Sequence, residues 1–340
     1  MLRLPTFDLQ EPKSLYGALA LLDEHGKNAM IVAGGTDLLP NMKHNLFEPK
    51  VLVSLARVEE LTGITATDDG GIDIGAMTTL AEVAASELVQ QRAPAVAQAC
   101  SLIAGPQLRT MGTLGGNILL DTRCQWYNQT YFWREALGFC LKKDGTACHV
   151  VEGGQKCVAA ASNDSAPALM SVNANLVFER LNERREVPVD SIWLADGIVN
   201  KDVKPGEILT RIHVPAQPGE HRGAYGKLRD RGSIDFPLFG CSVRLAVDDA
   251  NVITDAEVCA VALVARPIRL KNVAEALRGV AIGSPEFEVA VQVVADAAYK
   301  QCRPMDNVPG DKDYRREMVP VYVRRTLLAA VNGDGPVHHV

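Results

Sequence analysis

Three times in its first 120 residues the chain runs into a loop of small residues: Ala33-Gly34-Gly35-Thr36-Asp37, then Gly75-Ala76-Met77-Thr78-Thr79, then Gly112-Thr113-Leu114-Gly115-Gly116-Asn117. Loops of this kind restrict the fold because they let one backbone approach another, or a ligand, where any side chain would intervene. Each follows a regular element. Ser14 opens an apolar-periodic run that stops near Gly26, and residues 29–33 then read as a short buried strand entering the first loop. Residues 51–55 form another buried strand. Residues 71–76 deliver the second loop, where Thr78 and Thr79 are candidate caps for the next helix. A helix over 93–103 ends at Gly105-Pro106 shortly before the third loop. The first and third loops follow the pattern of backbone N–H groups presented to an anion. Neither is a G-x-G-x-x-G dinucleotide turn or a phosphate-binding Walker loop. Singly each is an ordinary tight turn; as a pair flanked by threonines they also fit a pyrophosphate.

Residues 121 to about 160 break the rhythm with four cysteines, three close aromatics (Trp126, Tyr127, Trp133) and no sustained period. This reads as an inserted loop, and a long loop inside a compact domain is functional or disordered. The aromatics and cysteines argue for function. Cys124, Cys140, Cys148 and Cys157 put half of the chain's eight cysteines into 34 of its 340 residues. Incidental thiols are one explanation. A metal site is the stronger one, and four thiolates hold either zinc or an iron-sulfur cluster. The intervals of 15, 7 and 8 residues lack the close Cys-x2-4-Cys pairs of structural zinc, but spacing alone leaves both open. His149 is either a substitute ligand or a solvent-facing side chain.

With 340 residues the chain is long enough for at least two domains. A polar linker over 215–223 precedes two strands, 239–247 and 252–264, joined by Asp248-Asp249-Ala250-Asn251. Helix periods follow over 269–278, 285–299 and 314–331, and 333–340 reads as a loose tail. Lys227, Arg229, Arg231 and Asp235 are either a solvated charged strand or contacts to a cofactor between domains. The net charge of −6 argues against a nucleic acid partner. The opening residues lack a secretory signal and no apolar run could span a bilayer, so a cytoplasmic location is expected. No hydrolytic motif or base–nucleophile pair is present, and no catalytic residue is assigned.

The three loops, with Gly105-Pro106-Gln107-Leu108-Arg109 leading into the third, make the chain similar over nearly its whole length to the FAD-binding medium subunits of the xanthine dehydrogenase or molybdenum hydroxylase family. The resemblance implies an α+β fold: a two-subdomain FAD-binding domain of the vanillyl-alcohol-oxidase/PCMH type over 1–219, with the inserted loop within it, then a smaller α+β C-terminal domain over 220–332. It implies FAD held by Ile31, Val32, Ala33, Gly34, Gly35, Thr36, Asp37 and Leu38; by Ala76, Thr78, Thr79 and Leu80; and by Gly112, Thr113, Gly115, Gly116 and Asn117. Asp164 is also expected to contact the cofactor, and Lys227 to lie on a strand closing over the flavin.

The insertion resembles the cluster loop of the 4-hydroxybenzoyl-CoA reductase beta subunit, through Asp121-Thr122-Arg123-Cys124, Tyr127-Asn128-Gln129, Gly138-Phe139-Cys140-Leu141-Lys142, Cys148-His149-Val150 and Cys157. That likeness implies a 4Fe-4S cluster on the four cysteines, a large molybdopterin-containing partner subunit and a small one with two 2Fe-2S clusters. It further implies an external ferredoxin-like donor feeding electrons inward for reductive dehydroxylation of an aromatic acyl-CoA. Two other readings stand beside it. One is the medium subunit of an oxidising hydroxylase acting on an aromatic or N-heterocyclic substrate, with electrons flowing outward. The other is a non-catalytic zinc-stabilised binding module.

Overall fold

A computed structural model describes residues 2–217 and 219–338. The N-terminal layer is a parallel sheet of three strands in the order Asp8–Gln10, Val51–Ser54, Ala29–Val32. Helix Leu15–His25 covers it, burying Ala18, Leu19 and Leu22 against Val51 and Val53. Ser14 caps that helix by accepting from the Gly17 N–H at 3.2 Å, so the sequence signal for its start is the physical one. The strand Ala29–Val32 then empties directly into the first glycine loop.

The second layer is an antiparallel sheet in the order Ile64–Ala66, Ile72–Gly75, Ile208–Val214, Asn175–Arg180, Glu183–Pro188. Helices Pro94–Leu102 and Ser165–Ser171 share its core. The third layer orders Ile268–Arg269, Ile253–Val261, Phe239–Val247, Glu220–Leu228 and Val337–His338, and is packed under helices Pro285–Gln301 and Lys312–Asn332. The whole is α+β, as expected, with the first two sheets followed by a smaller C-terminal unit built on the third.

Several local expectations change. Within the stretch read as a tail, 333–340, Val337–His338 joins the strand Glu220–Leu228 in parallel, Val337 opposite Gly226; His339 and Val340 lie outside the described residues, as do Met1 and Pro218. The helix read over 269–278 shrinks to Val273–Leu277, since Ile268–Arg269 is taken as an edge strand and the Arg269 guanidinium is pinned by Asp190 and Glu257. The insertion contains one short helix, Tyr131–Ala136, capped by Thr130. No helix among the described residues is long and apolar enough to cross a membrane.

Candidate functional site

The three small-residue loops meet. Gly34 lies so close to the third loop that a Cβ there would stand 1.9 Å from the Met111 carbonyl oxygen, and one on Gly115 would stand 2.7 Å from both Cβ and O of Ala76. Backbone bonds stitch the junction: Leu80 N–H to Gly112 O at 2.8 Å, Leu114 N–H to Thr78 O at 3.0 Å, Gly115 N–H to Ala76 O at 2.9 Å. Gly35 has φ +70°, the left-handed conformation that glycine adopts without strain. Thr113 caps helix Leu114–Ile118 by accepting from Gly116 N–H, so the third loop is also the first turn of a helix. Thr79 caps Leu80–Ala85 in a reciprocal box with Glu82.

Among the described residues, no protein acceptor takes the backbone N–H of Gly34, Gly35, Thr36 or Asp37. Four successive unpaired donors in a half-buried loop are what an anionic ligand satisfies. The residues therefore fit a pyrophosphate by an observation independent of their sequence pattern. Ile31, Val32 and Leu38 are the half-buried apolar neighbours of this loop. The Thr78 hydroxyl is turned away, buried and bonded to Gly63 N–H and O, and Asn117 Oδ1 accepts from Ser165 N–H and Oγ–H. Both build the loops' shape.

Asp164 and Lys227 are brought to each other. Asp164 is 2% exposed and Lys227 0%, and the ammonium donates to Asp164 at 3.2 Å, Leu102 O at 3.1 Å and Asp235 O at 3.1 Å. Its three N–H donors are thus spent on protein. The Tyr225 hydroxyl donates to the other Asp164 oxygen at 2.8 Å. Burial pushes the Asp164 carboxyl up, and Lys227 and Tyr225 oppose that. The seam continues with Tyr225 N–H to Gln98 Oε1, Arg244 Nε–H to Ser171 O, and a Ser171–Ser242 hydroxyl pair. These residues tie the helices around Gln98 and Ser171 to the third sheet, and Asp164 and Lys227, both expected beside the cofactor, stand together in this seam.

The inserted loop gathers Cys124, Cys140, Cys148 and Cys157 around one small cavity, ≈ 20 Å³, whose walls include Trp126 and Lys142. Cys124, Cys140 and Cys157 are buried with Leu46 and Tyr127. Burial raises the Cys124 thiol to about 12 and pushes Cys157 up as well, so without a cation these groups stay protonated and pack as small apolar side chains. Cys100, Cys241, Cys259 and Cys302 are buried elsewhere, in the main cores. His149 is exposed, stacks on Trp126 at 5.3 Å, and its Nε2 meets Phe139 O at 2.6 Å.

What the sequence reading missed is the connection between the two places. Arg123, next to Cys124, forms a 2.8 Å ion pair with Asp37 of the first glycine loop. Beside it Lys142 pairs with Asp121 at 2.8 Å. Both basic residues lie in the segments that mark the loop, but their partners are set by tertiary contact. Burial raises the Asp37 carboxyl, with Arg123 opposing.

Residues 5–217 match the family described as FAD binding domain in molybdopterin dehydrogenase, and residues 223–330 match the CO dehydrogenase flavoprotein C-terminal domain. The chain is 33% identical over 326 residues to the carbon monoxide dehydrogenase medium chain of Hydrogenophaga pseudoflava, covering 96% of this chain and 97% of that one. It is 25% identical over 323 residues to the xanthine dehydrogenase FAD-binding subunit of Escherichia coli O157:H7, covering 95% of each. Of solved structures, carbon monoxide dehydrogenase from Hydrogenophaga pseudoflava lacking the Mo-pyranopterin moiety aligns with a TM-score of 0.78 at 31% identity, over 97% of this chain and 99% of that one. Quinoline 2-oxidoreductase from Pseudomonas putida 86 shares the fold, with a TM-score of 0.76 at 20% identity.

Proposed function

The chain belongs to the FAD-binding medium subunits of the xanthine dehydrogenase and carbon monoxide dehydrogenase family, an oxidoreductase subunit, and from that premise we propose that it holds a second redox centre, a 4Fe-4S cluster, beside its flavin. The observation that carries this reading is the convergence of four thiols on one cavity in a loop tied to the first glycine loop by Arg123 and Asp37. A mononuclear zinc site draws its sulfurs to within about 2.3 Å of one point. Among the described residues, no three His, Cys, Asp or Glu side chains stand close enough to hold a single ion, and a cluster spreads its four ligands more widely. Loading the site would draw off the thiol protons. The matching family's description and the xanthine dehydrogenase relative's name speak of FAD and of no cluster, so the cluster rests on these cysteines.

In this reading the unpaired N–H groups of 34–37 and the loop 112–117 hold the FAD pyrophosphate, while 76–80 lies along the cofactor and shapes the pocket. Bound there, FAD exchanges one or two electrons and so links one-electron carriers to a two-electron reaction. Asp164 and Lys227 keep the C-terminal domain, 220–332, fixed against the flavin domain, 1–219. The partners proposed are a large molybdopterin subunit, where substrate reacts, and a small subunit with two 2Fe-2S clusters, in the cytosol, where thiols stay reduced. The likeness of the cysteine loop to 4-hydroxybenzoyl-CoA reductase supports inward flow from a ferredoxin-like donor to an aromatic acyl-CoA. The named relatives, carbon monoxide and xanthine dehydrogenases, support the second reading, an oxidising enzyme passing electrons outward.

Anaerobic purification with flavin, iron and sulfide analysis tests the cofactors. FAD with roughly four iron and four sulfide per chain is expected; FMN, or zinc without sulfide, overturns the assignment. With the complex in hand, an acyl-CoA or a heterocycle that changes the flavin spectrum decides between the two directions.

A further inference from the structure

The side chain on the wall of the cysteine cavity that no flavin or ligand role absorbs is Lys142. It stands two residues after Cys140, its side chain is 5% exposed, and it lines the cavity with all four cysteines. The ammonium is held by Asp121 at 2.8 Å, by the carbonyl oxygens of Gly197 at 2.8 Å and Thr122 at 3.2 Å, and by the Thr122 hydroxyl. It also sits 4.6 Å above the Tyr127 ring, itself a wall of the cavity. Few surface lysines are fixed by so many groups. The turn that supplies Gly197 O closes directly on a ligand: Gly197 N–H donates to Cys157 O, and a Cβ at Gly197 would stand 2.6 Å from Cys157 Sγ. Asp121, the ammonium's only carboxylate partner among the described residues, is not part of the cavity wall. Of the ion pair, the cationic residue is therefore the one on the cysteine wall.

Resting on the cluster reading above, we propose that Lys142 is a positioning charge that raises the reduction potential of the cluster held by the four cysteines, with Asp121 as its counterweight. Four thiolates around an iron-sulfur core give it a net negative charge, and each added electron increases that charge. A fixed cation on the wall stabilises the reduced form more than the oxidised one, and net charge, hydrogen bonding and exposure are the levers that set such potentials. Low exposure makes the lever effective because solvent does not screen it. Asp121 partly cancels the charge, so its removal should act in the opposite direction. A purely mechanical role for Lys142, tying residues 121–142 to the 196–197 turn, would require the bonds and not the charge.

The test is a redox titration of the anaerobically isolated full chain, following the cluster by electron paramagnetic resonance and the flavin by absorbance. Lys142→Met should lower the cluster midpoint, with a smaller change at the flavin. Lys142→Arg, which keeps the charge, should stay near wild type, and Asp121→Asn should raise the midpoint. A Lys142→Met protein that keeps its cluster at the wild-type midpoint overturns the proposal. If Lys142→Met loses the cluster, Asp121→Asn decides: a rise upholds the proposal, an unchanged or lowered midpoint overturns it. Wild-type protein with FAD but no iron signal fails at the earlier step, and takes down the cluster reading rather than the direction of Lys142's effect.

Discussion

Gly34→Ala is the smallest change that should separate this chain from its flavin. The added methyl would lie 1.9 Å from the Met111 carbonyl oxygen, where ordinary contact begins near 3.4 Å, so the first and third loops must part by about 1.5 Å. The obstacle is backbone, anchored through Gly112 to Leu80 and Leu108, so no side-chain rotation relieves it. Forcing an extra methyl into a packed contact costs roughly 1–3 kcal/mol. If the loops move apart, that strain falls on the arrangement of the 34–37 N–H groups, and at 1.4 kcal/mol per tenfold FAD affinity should drop about tenfold to a hundredfold. Deflavinated protein titrated with FAD, read by quenching of flavin fluorescence, measures this. Gly335→Ala, where a Cβ meets nothing within 4 Å, is the control and should bind as wild type. Unchanged FAD affinity in Gly34→Ala, with the loops intact, would refute the idea that they jointly hold the pyrophosphate.

Serine at Cys124, Cys140, Cys148 or Cys157 should reduce bound iron and leave FAD in place, whereas Cys241→Ser should leave iron unchanged; the reverse pattern in iron analysis would void the ligand set. Lys227→Met strands the Asp164 carboxylate in the core, and breaking a buried pair costs roughly 3–5 kcal/mol, so thermal melting should show a large fall in Tm. Burial lowers the Lys201 amine to about 7, below its unfolded value, so the unfolded state binds the extra proton and stability rises as pH climbs from about 7 toward the unfolded value. Denaturant melts should accordingly show a larger gain between pH 7 and 9 for wild type than for Lys201→Met.

The parts of the site legible in sequence are those written in local residues. The glycine loops, the Ser14 and Thr79 caps and the cysteine loop each declare themselves within a few positions, because a close backbone approach or a helix end constrains the residue on the spot. Arg123 with Asp37 is different: 86 positions separate them, and nothing local distinguishes that arginine from any other. Burial of Lys227 was hidden for the same reason, since its carboxylate, 63 positions away, arrives at the start of a helix of the other unit. The strands Asn175–Arg180 and Glu183–Pro188 carry charges at alternate or successive positions, Glu183, Arg184, Arg185 and Glu186 among them, which masks the apolar alternation that marks a strand.

The polar seam between the flavin domain and the third sheet has a dynamic meaning. Neighbouring domains in one chain move relative to each other by default unless their interface is large and apolar. Here the buried Asp164, Tyr225 and Lys227 group is hydrogen-bonded across the boundary, Arg244 Nε donates to Ser171 O, and Tyr225 and Cys259 belong to the same core as the second sheet. Hinge opening would expose an ion pair and several buried donors at once. Turnover should then proceed without domain closure, with the spacing between redox centres constant through the cycle and the rate insensitive to solvent viscosity. That behaviour contrasts with enzymes whose lids set the pace.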